Sequence, residues 1–105
     1  MNQEQYHLLK TGVSEWNEWR NEFPDSEIDL SNADLKYSNL ENCNISGGNF
    51  TNADFLYSNI KNSNLSSCNL SNVSMLYCNL NGSNLTNTNR TNIDLRYCDI
   101  TNTSF

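Results

Sequence analysis

One proline and one histidine stand in the 105 residues, Pro24 and His7, both near the beginning. Beyond residue 24 no imidazole is available for acid–base or metal chemistry. Bases are scarce too: after Arg20 only Lys36, Lys61, Arg90 and Arg96 remain, too few and too scattered for a nucleic-acid surface. Residues 62–89 carry no charge at all. No Gly-rich phosphate loop, nucleophile elbow or pair of carboxylates on neighbouring slots is present, so an enzyme is not expected, nor a small-molecule substrate. Cys43, Cys68, Cys78 and Cys98 are scattered rather than clustered with histidine, which argues against a zinc site; no metal or cofactor is expected. No apolar run approaches the roughly 20 residues of a membrane span, and no charged and apolar leader is seen, so a cytoplasmic chain away from membranes is expected.

What is present is a period of five. Leu30, Leu35, Leu40, Ile45, Phe50, Phe55, Ile60, Leu65, Leu70, Met75, Leu80, Leu85, Leu95, Ile100 and Phe105 are apolar, and Arg90 is the one exception in the series. Two places earlier stands a small or modest residue such as Ala33, Cys43, Gly48, Ser58 or Val73, a second and narrower inward register. Five fits neither a helix nor a strand, so the chain must turn a corner after each short unit and stack as a solenoid. Tyr37, Tyr57, Tyr77 and Tyr97 recur every twenty residues in one slot, which predicts four units per turn of the coil and one column of rings on one face. With coils about 4.8 Å apart the rings lie within stacking reach, and just under four coils make a rod about 19 Å long. The low mean hydropathy of −0.69 then describes a polar coat on a narrow core rather than disorder.

Units such as Ala33-Asp34-Leu35-Lys36-Tyr37 and Ala53-Asp54-Phe55-Leu56-Tyr57 resemble the A(D/N)LXX pattern of the pentapeptide-repeat family, over about three quarters of the chain. The resemblance implies an all-β solenoid, a right-handed quadrilateral β-helix of about four coils. It also implies a possible role, since some members are acidic rods that resemble duplex DNA and bind DNA gyrase. The formal charge of −6 fits that comparison, but duplex DNA carries about one charge per 1.7 Å along its length. Here the middle of the rod is neutral, and four of the twelve acids lie in the first 24 residues.

Residues 1–24 read as an N-terminal helical cap on residues 25–105, the β-helix. Val13, Trp16, Trp19 and Phe23 follow helical spacing, with Ser14 as the expected N-cap, Pro24 as a stop, and Gly12 kinking or splitting the helix. No comparable helix covers the other end, so the last coil is expected to be bare, covered by its own side chains, or docked to a second copy as a homodimer through the C-terminal coil around Arg90 and Phe105. Arg90 occupies an inward slot where an unpaired charge is costly, so either its guanidinium leaves through the open end or the residue turns outward. The cysteines sit in the small inward slot as compact hydrophobes, and only Cys78 and Cys98 stack one coil apart at disulfide reach. Asp29, Asp34, Asp54, Asp94 and Asp99 precede central residues, where turn hydrogen bonding is expected of them.

A non-enzymatic interaction module is the reading that remains, with an unknown protein as partner. Its candidate face is the tyrosine column Tyr37, Tyr57, Tyr77 and Tyr97, with Leu56 and Leu76 expected to point outward beside it. Stacking between coils is the alternative role for the column. A regular hydroxyl array at Ser31, Thr51, Ser71 and Thr91 raises water ordering as a third, weaker reading.

Overall fold

A computed structural model describes all residues 1–105. From residue 28 the chain winds as a right-handed quadrilateral β-helix held by twelve parallel bridges, each joining a residue to the one twenty positions on, from Asp29–Asn49 to Asn84–Ser104. Coil 1 comprises residues 28–47, coil 2 residues 48–67, coil 3 residues 68–87, and coil 4 the remainder. The four sides of coil 1 are residues 28–30, 33–35, 38–40 and 43–45.

The corners explain the composition. After each central residue the backbone turns through two residues, the second with φ between 56° and 63° where it is not glycine, and about 73° at Gly47 and Gly82. Every such slot from 32 to 102 is left-handed. That region excludes most side chains, and asparagine is among the few that tolerate it, which is why Asn fills eight of the thirteen non-glycine slots. The residue before each centre, Ser74 and Ser104 apart, is Asn or Asp for a second reason: its Oδ1 accepts the backbone N–H two residues on, as from Ser31 to Asp29 (3.1 Å), Thr51 to Asn49 (3.1 Å) and Thr101 to Asp99 (2.9 Å). The aspartates therefore do the turn work expected of them.

The central side chains fill the interior and are buried from Leu30 through Leu85. Small inward residues tie the coils together. The hydroxyl of Ser58 donates to the Leu35 carbonyl (2.6 Å), and the thiols of Cys68 and Cys78 point at the carbonyls of Ile45 (3.0 Å) and Phe55 (2.8 Å). Ser83 donates likewise to Ile60.

The cap is two helices, α1 (Gln3–Thr11) and α2 (Val13–Glu22), split at Gly12, whose φ of 156° turns the chain sharply. Asn2 caps α1 by accepting from the Gln5 N–H at 3.0 Å. The expected cap at Ser14 is not found: α2 begins two residues earlier than such a cap would place it, Gly12 holds the N-cap position, and no side chain caps it. Phe23 also departs from the expected inward stripe, because the helix ends at Glu22 and Phe23 (φ −126°, ψ 66°) stands exposed at its C-cap. Trp16 is fully buried against Trp19, with ring centroids 5.1 Å apart.

The cap takes the place of a coil by offering, side by side, what a lower coil would offer. On the first side Asn2 N–H donates to Asp29 O (2.8 Å) and Gln5 Oε1 accepts from Asp29 N–H (2.9 Å). On the second, Tyr6 Oη donates to Asp34 O (2.8 Å). On the fourth, Trp16 Nε1 donates to Asn44 O (2.7 Å) and Asn17 Oδ1 accepts from Asn44 N–H (2.9 Å). Asn17 and the buried Arg20 finish the corners through the carbonyls of Asn42 (2.9 Å) and Ser46 (3.0 Å). Side-chain amides, an indole and a phenol thus stand in for main chain on a solenoid end that needs covering.

Candidate functional site

Because twenty residues return the chain to the same corner, the four tyrosines come into line. Tyr37–Tyr57, Tyr57–Tyr77 and Tyr77–Tyr97 stack with centroids 5.7, 4.7 and 4.9 Å apart and planes within 6°, 7° and 15° of parallel. The rings remain open to solvent, 69, 52, 47 and 70 % exposed in chain order. All four occupy the left-handed corner slot, with φ from 58° to 63°. A bulky aromatic there is disfavoured, so the backbone holds each ring outward against its own preference.

The neighbouring slot differs from expectation. Leu56 and Leu76, the first residues of their corners, are half-buried rather than freely exposed. Their carbonyls accept the N–H groups of Tyr37 (2.8 Å) and Tyr57 (2.9 Å) one coil below. The same column ends in two bases that are already paired, Lys36 with Asp34 at 3.2 Å and Arg96 with Asp94 at 2.8 Å. The backbone N–H of Lys36 leads in holding Asp34 below its ordinary value, and the Arg96 side chain does the same for Asp94. The face is therefore aromatic, flat and close to neutral.

Arg90 leaves through the open end. Its guanidinium lies over the Phe105 ring, 5.1 Å from the centroid, and Nη1 reaches the Leu85 carbonyl at 3.4 Å. A long side chain in the inward slot thus carries its charge away from the interior, onto an aromatic face and a carbonyl. Ile100 and Phe105 are correspondingly 48 and 47 % exposed.

The hydroxyl column is engaged within the chain. Ser31, Thr51, Ser71 and Thr91 each donate to the Asx oxygen two residues earlier, at 2.7 to 2.8 Å. The four cysteines are free thiols. Burial pushes the thiols of Cys43 and Cys68 up to about 12. The Sγ atoms of Cys78 and Cys98 donate to the carbonyls of Phe55 (2.8 Å) and Met75 (2.6 Å), and the influence of each thiol on its neighbour one coil away raises Cys78 and lowers Cys98. No three His, Cys, Asp or Glu side chains converge. No helix is long and apolar enough to cross a membrane.

Sequence reasoning located the tyrosines and Arg90 but missed Gln5, Tyr6, Trp16 and Asn17 as replacements for coil backbone. Only the polar tips on an otherwise apolar helical stripe hinted at them.

A stacked, four-sided coil with its core set by fives defines a solenoid repeat protein. Residues 26–55, 33–72 and 63–102 match the family of pentapeptide repeats, in eight copies, and the chain belongs to that family. No curated protein matches it significantly. Among solved structures it is similar to QnrB1, a plasmid-mediated fluoroquinolone resistance protein, with 25% identity, a TM-score of 0.65, and 72% of this chain matched to 37% of that one. It is also similar to two cyanobacterial pentapeptide-repeat proteins. Rfr23 of Cyanothece 51142 has 29% identity, a TM-score of 0.49, and 73% of this chain matched to 53% of that one. HetL of Nostoc sp. strain PCC 7120, involved in heterocyst differentiation regulation, has 25% identity, a TM-score of 0.46, and 70% matched to 36%. The chain thus spans between about a third and a half of these structures' length.

Proposed function

We propose that the chain is a non-enzymatic protein-binding module whose partner docks on the tyrosine column. One observation carries the reading: four exposed rings are held in backbone that disfavours them. Three stacked pairs contribute about 1.5–4.5 kcal/mol in all at roughly 0.5–1.5 each. Four left-handed tyrosines cost about 4–8 kcal/mol at roughly 1–2 each, where asparagine costs less. Stacking therefore offsets the strain at best, and stability alone does not account for the column. Exposed tyrosine is the residue that interfaces use as anchor.

The test compares capture of binding proteins by the wild type, by Tyr57→Asn/Tyr77→Asn, and by Thr51→Ser on the neighbouring face. A partner kept by Thr51→Ser and lost by the tyrosine variant supports the reading. Equal capture by all three overturns it.

The exposed Ile100 and Phe105 favour an addition to this reading, that coil 4 pairs with coil 4 of a second copy. Sedimentation of the wild type and Arg90→Glu tests it: a dimer disrupted by the substitution supports pairing, and monomers in both refute it. A second reading, binding of DNA gyrase as an acidic rod, is favoured by the likeness to QnrB1. The charge argues the other way, since after residue 24 eight acids face four bases. A duplex of the same roughly 19 Å would carry about eleven negative charges. Inhibition of gyrase supercoiling by the purified chain would support that reading, and no effect at micromolar concentrations would remove it.

A further inference from the structure

The cap covers three sides of coil 1 and leaves the third. On that side the N–H and C=O of Asn39 meet no protein group, whereas Asp29 and Asn44 have both groups satisfied by the cap and Asp34 has its carbonyl satisfied. The adjoining Ser38 hydroxyl is buried and also lacks a partner. Its counterparts Ser58, Ser63 and Ser83 each donate to a carbonyl in the coil beneath, and beneath Ser38 there is none. Over the same side opens a cleft of about 510 Å³, walled by the end of α1, Gly12 and the start of α2, and floored by residues 37–42.

We propose that this cleft binds an extended peptide strand, which adds to coil 1 where the cap supplies no substitute for a lower coil. The ligand class follows from the unmet groups. They need one acceptor and one donor at the spacing that a peptide backbone presents on either side of a single residue, as the bridge residues do throughout the solenoid. Leu9 and Val13 already occupy the interior next to Leu40, so the strand's inward residue must be small. At one corner the Tyr37 ring, stacked only on Tyr57, leaves its other face for a side chain of the peptide. Recognition is by main chain and so tolerates sequence. The site touches the tyrosine column only at Tyr37 and stands or falls independently of the function proposed above.

The probe is acetyl-Tyr-Ser-Asn-Ala-Lys-Asn-amide, the segment that covers this side from above with alanine in place of Ile60. Added to the full chain and followed by amide NMR, it is expected to shift Asn39, Leu40 and Val13 saturably, with a Kd of about 0.1–10 mM for so short a strand. With peptide at ten times Kd, the Asn39 amide should exchange about tenfold more slowly, while Asn44 is unchanged. The same peptide N-methylated at its third and fourth residues should not bind. Absence of saturable shifts at about 10 mM peptide, or equal binding of the methylated peptide, overturns the proposal.

Discussion

Replacing Tyr57 and Tyr77 together by asparagine separates the two roles that a ladder of aromatic rings can have. The double variant removes all three stacked pairs, since Tyr57 and Tyr77 take part in every one of them. The loss is about 1.5–4.5 kcal/mol. Against it stands relief of two left-handed tyrosines at φ 58° and 59°, replaced by the residue that fills most other corners. That returns about 1–2 kcal/mol in total, allowing for the smaller strain that asparagine keeps. The net effect is a loss of about 0–3 kcal/mol, which for a chain of this size lowers Tm by no more than about 15 °C. Urea titration of both proteins, with the slope compared to check that the exposed surface on unfolding is the same, measures the difference. Alanine in place of asparagine should be worse by the extra strain at both corners, an internal control on the backbone argument. A loss beyond about 4 kcal/mol for the asparagine variant would show that the column is a structural spine and would refute the inference that it exists for a partner.

Three further outcomes follow from the structure. Asn17→Ala should destabilise by about 1–3 kcal/mol, because it leaves the part-buried N–H of Asn44 without its acceptor and removes the donor to the exposed carbonyl of Asn42, and calorimetry reads it directly. Acid should loosen the rod at its ends first. Hydrogen bonds from Ser31 and Lys36 hold Asp29 and Asp34 low in coil 1, and those from Arg96 and Thr101 hold Asp94 and Asp99 low in coil 4. A depressed carboxylate adds stability above its unfolded pKa of about 3.9 that is lost as pH falls through the folded value, so amide exchange below about pH 4 should rise in coils 1 and 4 before coil 3. Among the thiols, Cys98 should react first with iodoacetamide near pH 8, being the one that is half-buried rather than buried and the one held below its ordinary value. Cys43 and Cys68, buried and pushed up to about 12, should wait for unfolding.

The solenoid was legible because its signal is periodic. Arginine at position 90 apart, every fifth residue names the core, and the twenty-residue recurrence of tyrosine names the number of sides. What asparagine does was only partly legible. The notion of a ladder places Asn one coil above Asn, yet one set of asparagines sits at corners for its left-handed backbone and another accepts an N–H two residues on. These are local jobs that a stacking pattern does not distinguish. The cap was legible as a helical cover but not in its chemistry. Periodicity reports which residues face inward, and Trp16 qualifies. It does not report that the indole N–H meets Asn44, or that Asn17 on the next position takes both the N–H of Asn44 and the carbonyl of Asn42. The start of α2 was misplaced because Ser14 has the residue type of a cap, whereas Gly12 has the conformation.

A helix pair can imitate a coil only where side chains of the right length reach the coil's edge. Gln5 reaches the first side, where the Asn2 main-chain N–H joins it, Tyr6 the second, and Trp16 and Asn17 the fourth. Between Tyr6 and Trp16 the chain turns at Gly12, and a turn between helices points its backbone away from the rod and carries no long polar side chain toward it. The third side is thus left uncovered by the geometry of splitting one helix into two. A continuous helix would have crossed the coil end along a single diagonal and left more edges bare. The split that lets Asn17 and Arg20 finish the fourth side is the same feature that opens the cleft over Asn39. Straining the turn between the two helices with Gly12→Ala tests that link. The left-handed φ of 156° makes the substitution strained, so the variant should lose stability and, with it, protection of the Asn44 amide, while the already unpartnered Asn39 amide should exchange at an unchanged rate.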